Sequence, residues 1–161
     1  MSRPAPIVLL FLLLGLLTGS ATLVGCAPQT RSFTIVVTND TPHELTLVLT
    51  KEGGPVEVNW ISPEESATLT PQRDELPVSS VVVPPGKVAR LGPVKGKFDP
   101  GGRAVLRVYA GAFDLDQMLS FPRGDPMRID VVLQQGLNRL VVPQGLPLEV
   151  QHVDVATGNK P

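Results

Sequence analysis

Side chains of the types that do covalent chemistry are few in this sequence, and they stand far apart. Cys26 is the one thiol in 161 residues, and a thiolate is the strongest side-chain nucleophile near neutral pH. His43 and His152 are the two imidazoles. A His-based hydrolase needs one of them beside a nucleophile and an orienting carboxylate, and nothing in their spacing supplies that. Glu64/Glu65 and Asp114/Asp116 are close carboxylate pairs that loops could assemble into the acid and base of a hydrolase. Lys87, Arg90, Lys95, Lys97, Arg103 and Arg107 stand against Asp99 alone, which gives residues 87–107 a net charge of +5. Such a block suits contact with phosphate headgroups or an anionic polymer.

Cys26 has the most informative surroundings. Arg3 supplies a short positive region, and the run from Ile7 to Leu17 is apolar over 11 residues, interrupted only by Gly15. As a helix that run is about 16 Å long, whereas a bilayer core needs about 20 residues. It therefore reads as the hydrophobic stretch of a signal peptide over residues 1–25, not as a permanent span. Small and polar residues from Thr18 to Thr22 follow, and then Leu23-Val24-Gly25-Cys26.

Those four residues resemble the lipobox of bacterial lipoproteins at every position. The resemblance covers residues 1–26 only. It implies that Cys26 accepts a diacylglyceryl thioether, that cleavage makes it the first mature residue, and that acylation (palmitate-type chains) holds it to the membrane. One acyl chain binds marginally and two or more bind stably. Ala27 stands where Asp marks inner-membrane retention in many such proteins. The resemblance thus points to the cell envelope, at the outer membrane facing the periplasm or at the cell surface.

The remaining motifs carry little chemistry. There is no nucleophile elbow, zinc-protease helix, phosphate loop or dinucleotide fingerprint, so no cofactor is expected. His43, His152, Met118 and Met127 are copper-type ligands, but they are scattered along the chain, and Met127 falls on the apolar face of its strand. Asp114-x-Asp116 lacks the other oxygen ligands and the glycine of a calcium loop. No metal site is expected. Trp60 and Tyr109 are the best candidates for carbohydrate stacking, although Trp60 directly precedes a helix cap and reads as packing. Arg123-Gly124-Asp125 with Pro126 reads as a turn. Asn39-Asp40-Thr41 is formally a glycosylation acceptor, in a protein expected never to meet that enzyme.

Composition bounds the rest. Apolar residues make up 42% and charged residues 18%, with 14 basic against 15 acidic side chains. That suits a globular chain and lacks the basic excess of a general nucleic-acid binder. Residues 27–161 hold 13 basic and 15 acidic side chains, a length that fits one domain with a real core and no disulfide.

The elements that must position these residues read as strands and turns. Proline and glycine recur every few positions, too often for long helices. Alternation marks Phe33–Thr38, Leu45–Thr50, Val56–Trp60, Val78–Val83, Val88–Val94, Arg103–Gly111, Met127–Gln134, Leu137–Val142 and Leu148–Val155. In the Arg103 strand, Ala104, Leu106, Val108 and Ala110 should face one way, with Arg103, Val105, Arg107 and Tyr109 opposite. Ser62-Pro63-Glu64-Glu65 predicts a capping box and one short helix near residues 63–68.

The pattern predicts an all-β fold: an antiparallel β-sandwich, immunoglobulin-like or a similar Greek key, of about 7–9 strands over residues 32–155. Cys26 and a tether to Arg31 precede it, and a frayed tail over 156–161 follows. The expected function is a lipid-anchored, non-catalytic envelope protein that binds or interacts at the membrane. The alternatives are an envelope hydrolase with a loop-assembled carboxylate pair, or an accessory subunit of a secretion or assembly machine.

Overall fold

The computed structural model describes residues 27–69, 79–145 and 147–153. Cys26 and the leader, the expected loop at 71–77, Val78 and the tail from 156 lie outside the described residues. Eight strands are described: β1 Gln29–Asn39, β2 Leu45–Glu52, β3 Ser80–Val83, β4 Val88–Phe98, β5 Arg103–Tyr109, β6 Arg128–Val132, β7 Gly136–Val142 and β8 Gln151–His152. They form two four-stranded sheets. Sheet A has the order β4-β1-β7-β8 and sheet B the order β3-β2-β5-β6. The expected all-β sandwich is what the chain forms.

One pair departs from the antiparallel expectation. β1 and β7 run parallel, with Val36 opposite Arg139. Parallel neighbours cannot be joined by a hairpin; β7 enters sheet A from β6, which belongs to sheet B. β1 also starts at Gln29, earlier than residue 32, because the 11-residue β4 continues to Phe98 and pairs with Gln29 there. Of the expected last strand, Gln151–His152 is strand among the described residues, and positions 154 and 155 lie outside them.

Alternation builds the core as the sequence implies. Phe33, Ile35 and Val37 of β1 point inward, as do Leu45, Leu47 and Leu49 of β2, Leu106 and Val108 of β5, and Leu140 and Val142 of β7. The outward set of β5 is Arg103, Val105, Arg107 and Tyr109, as expected, but Val105 and Tyr109 are themselves buried. The cover is helical. α1 (Pro63–Leu69) and a second helix, α2 (Leu115–Ser120), lie on this side. Val48, Tyr109, Leu115 and Met118 form a second small core there.

The Ser62 cap on α1 is present: Glu65 N donates to Ser62 Oγ (3.2 Å), and Ser62 N to Glu65 Oε2 (2.8 Å). α2 was not expected. Asp114 caps it by accepting from Gln117 N at 2.8 Å, and Gln117 Oε1 accepts from Asp114 N at 3.0 Å. Asp114-x-Asp116, which lacks the ligands of a calcium loop, thus opens this helix with a capping box.

The alternating stretch Val56–Trp60 is a second correction. It forms no strand; Val58–Trp60 is a 3-10 turn, with Val56 and Val58 exposed. The turn drives Trp60 into the sandwich, edge-on to Phe33 (centroids 5.4 Å apart) and Phe98 (5.3 Å). Its indole N–H donates to the Lys95 carbonyl at 2.9 Å. Trp60 therefore packs on Phe33 of β1 and Phe98 of β4 in the main core, whereas Ala67 of α1 packs on the second, smaller one.

Two glycines of β4 are required by geometry. Gly92 has φ of +92° where the register between β1 and β4 shifts, and a Cβ there would lie 2.6 Å from the Phe33 carbonyl. At Gly96 a Cβ would stand 2.6 Å from Trp60 Nε1 and 3.0 Å from the Phe98 ring. Gly96→Ala should therefore displace the indole and cost about 1–3 kcal/mol as overpacking. Trp60 is the sole tryptophan, so its emission spectrum and the denaturant midpoint report the change directly. An unaltered spectrum with an unaltered midpoint would contradict this packing.

Candidate functional site

The outward face of sheet B gathers charge of both signs. Register sets Glu52 opposite Arg103, Arg107 opposite Asp130, and Tyr109 opposite Arg128. α1 adds Glu64, and the segment through and after α2 adds Leu119, Phe121, Pro122 and Arg123. All of these side chains except Arg103 and Tyr109 line an open cleft of about 380 Å³.

The cleft is a chain of ion pairs. Arg107 Nη1 donates to both Glu64 carboxylate oxygens, at 2.8 and 2.7 Å. Arg128 grips Asp130 with Nε and Nη2, both at 2.9 Å, and donates Nη1 to the Phe121 carbonyl at 3.0 Å. Arg123 bridges Glu52 at 3.1 Å and Asp130 at 3.4 Å. Arg103 Nε donates to the other oxygen of Glu52 at 2.9 Å. Arg123 is the loosest member, with its side chain 68% exposed.

Two buried groups below the cleft lack hydrogen-bond partners among the described residues, Tyr109 Oη and Arg107 Nε. Tyr109 is fully buried. Burial pushes its phenol up, against the opposing charges of Arg128 and Arg107. The Arg128 guanidinium stands 5.9 Å from the Tyr109 ring centre.

The carboxyls shift the other way. A hydrogen bond from Arg103 is the largest influence on Glu52 and, with Arg123, holds it below its ordinary value. Burial pushes Glu64 up, but the Arg107 hydrogen bond and the Arg107 and Arg128 charges outweigh it, and its pKa falls. Asp130 falls likewise: burial opposes, but the Arg128 hydrogen bond and the charges of Arg128, Arg107 and Arg123 prevail. All three carboxylates are thus held ionised.

The residues singled out from sequence are divided by this geometry. Arg107 lines the cleft, paired with Glu64, and Arg103 pairs with the cleft residue Glu52 from beside it. Lys87, Arg90, Lys95 and Lys97 are exposed on or beside β4, in sheet A. The block divides because the Asp99–Gly102 turn carries the chain from one sheet to the other. Of the two carboxylate pairs, Glu64 is bound to Arg107, Glu65 and Asp114 serve helix caps, and Asp116 lies exposed on α2.

Tyr109 is buried and offers no stacking surface, and Asn39 is fully buried, with its amide held by the His43 and Val83 carbonyls. His43 and His152 are exposed. Among the described residues no three His, Cys, Asp or Glu side chains gather as a metal site. Arg123-Gly124-Asp125 forms a turn, with Asp125 N donating to the Pro122 carbonyl.

No family model, curated protein or solved structure matches this chain. The site is therefore read from its own chemistry. Glu52, Arg123, Arg128 and Asp130 were missed in sequence. Outward alternation on β6 could have flagged Arg128 and Asp130. Glu52 and Arg123, 71 positions apart, gave no signal.

The lowered carboxyl pKa values make stability depend on pH with a definite sign. The contribution is complete above the unfolded carboxyl pKa, near about 4, and is lost as pH falls through the lower folded values. The denaturation midpoint should hold steady from neutral pH down to about 5 and fall below about 4. Glu64→Gln combined with Asp130→Asn should flatten that fall. At neutral pH it should also cost about 1–3 kcal/mol, because two half-buried guanidiniums lose their acceptors. An acid limb of unchanged slope would contradict the pairing.

Proposed function

We propose that this chain is a lipid-anchored, non-catalytic binding module of the bacterial cell envelope. Cys26 holds it to the membrane, and the cleft on sheet B engages its partner. The observation that carries the reading is the continuity between the leader and the fold. Leu23-Val24-Gly25-Cys26 is followed by Ala27 and Pro28, and β1 begins at Gln29. Three residue steps span at most about 11 Å. On so short a tether the domain stays at the membrane surface, at the outer membrane facing the periplasm.

Cleft electrostatics support binding over catalysis. A general acid working near neutral pH needs a carboxyl pKa pushed up, whereas Glu52, Glu64 and Asp130 are all held down. A hydrolase built on Glu64/Glu65 with Asp114/Asp116 would have to break an Arg107 ion pair and two helix caps. Arg123 suits recognition: it is exposed and held by long contacts to Glu52 and Asp130. A partner's carboxylate or phosphate can replace those contacts with a tighter, forked pair.

Expression in a bacterial host with a clickable palmitate analogue tests the anchor. The mature chain should begin at Cys26 with an acyl-modified sulfur, and Cys26→Ser should abolish labelling and release the protein from the membrane fraction. An unmodified sulfur, or a wild-type chain still beginning at Met1, would overturn the reading.

A further inference from the structure

We infer that the outer face of sheet A is a docking surface for anionic lipid, on which the anchored domain lies flat. The inference rests on the lipid-anchor reading above and adds an orientation to it. The strands of sheet A contain no Asp or Glu, yet carry Arg31, Arg90, Lys95, Lys97 and Arg139. Sheet B and its two helices carry both signs, with Glu52, Glu64, Glu65, Asp116 and Asp130 against Lys51, Arg103, Arg107 and Arg128. The excess of positive charge is thus confined to the strands of sheet A, while sheet B with its helices is close to neutral.

Register places the cations together. With Phe33, Ile35 and Val37 buried, the even-numbered residues of β1 point outward. Val36 lies between Arg90 and Arg139, Ser32 beside Lys95, and Thr30 beside Lys97. Arg31 alone turns away, donating to the Gly102 carbonyl at 2.8 Å. Among the described residues, Arg90, Lys95, Lys97 and Arg139 make no salt bridge. Arg139 is the member that the sequence block omitted, since β1 must lie between β4 and β7 to bring it there.

Apolar side chains stand among these cations. Val88 is 61% exposed, Leu137 52% and Val153 46%. Val88 flanks Thr38 and Leu137 flanks Thr34 on the same outward side. Val153 N donates to the Arg139 carbonyl, which puts it at the same margin. Both described helices pack on sheet B, so among the described residues no helix covers sheet A. Interspersed cations and aliphatic side chains match the headgroup and upper acyl zones of an anionic bilayer.

The chain start selects this surface over others. Gln29 and Thr30 pair with Phe98 and Lys97, so the residues after Cys26 emerge at the Lys95–Lys97 end of this sheet. A tether of about 11 Å holds those lysines within about a Debye length of the headgroups.

The test uses the full lipidated protein, reconstituted in vesicles of phosphatidylglycerol and phosphatidylcholine. A polarity-sensitive dye is placed on a single new thiol: Leu137→Cys on the sheet A face, Val56→Cys at the tether end, or Val132→Cys on sheet B. The Leu137 dye should shift to the blue and be quenched by lipid-borne quencher, while the Val132 dye stays accessible to aqueous iodide. Arg90→Gln, Lys95→Gln and Arg139→Gln together should lower the docked-to-free ratio on the order of a hundredfold, about fivefold per charge. Flotation with the vesicles should persist in that variant.

Flotation with an aqueous Leu137 dye, or with burial of the Val56 dye alone, would overturn flat docking and leave the anchor standing. A wild-type chain that fails to float and carries an unmodified Cys26 would overturn both.

Discussion

The free edge of β4 is the constraint on which the rest of the architecture turns. An open edge strand exposes unpaired N–H and C=O groups and invites association. Here side chains from the other half of the sandwich occupy that edge. Trp60 donates to the Lys95 carbonyl, Glu57 accepts from Lys97 N at 2.9 Å, and Lys51 donates to the Lys97 carbonyl at 3.0 Å. Lys51 also pairs with Glu57. One cluster therefore blocks the edge, locks Trp60 between Phe33 and Phe98, and ties the end of β2 to sheet A. With the backbone of Lys95 and Lys97 occupied in this way, their side chains are left pointing outward.

Legibility from sequence followed the range of the forces involved. Period-two alternation is local, so the core faces of β1, β2, β5 and β7 and the short capped α1 could be read directly. Val56–Trp60 misled because alternation there serves a different end: a 3-10 turn needs only Trp60 inside, and the two valines stay out. α2 was hidden because Asp114 and Asp116 are compatible with a cap, a ligand loop or a solvated edge. Only the fold selects among these.

The cleft was harder to read for a topological reason. A charge block that is continuous in sequence was cut in two by the Asp99–Gly102 turn, which passes from sheet A to sheet B. Arg103 and Arg107 found carboxylate partners on β2 and α1, and among the described residues the other four form no salt bridge. Pairing at such separations depends on strand order, and the parallel neighbour β7 was beyond local pattern. The same order brings Arg139 beside Arg90 across β1, although the two are 49 positions apart in sequence.

The two faces also bear on each other. Stacked sheets lie about 10 Å apart with their outer faces directed oppositely. If sheet A rests on lipid, the sheet B cleft opens away from it, where Arg123 meets soluble or wall-bound partners unobstructed. The distribution of charge reinforces this, because the strands of sheet A carry cations alone while those of sheet B pair theirs with carboxylates. Salt weakens attraction between exposed charges across water more than it weakens partly buried contacts. Rising ionic strength should therefore loosen the lipid contact before it opens the Arg107–Glu64 and Arg128–Asp130 pairs. Orientation and cleft integrity are then separable properties of one sandwich.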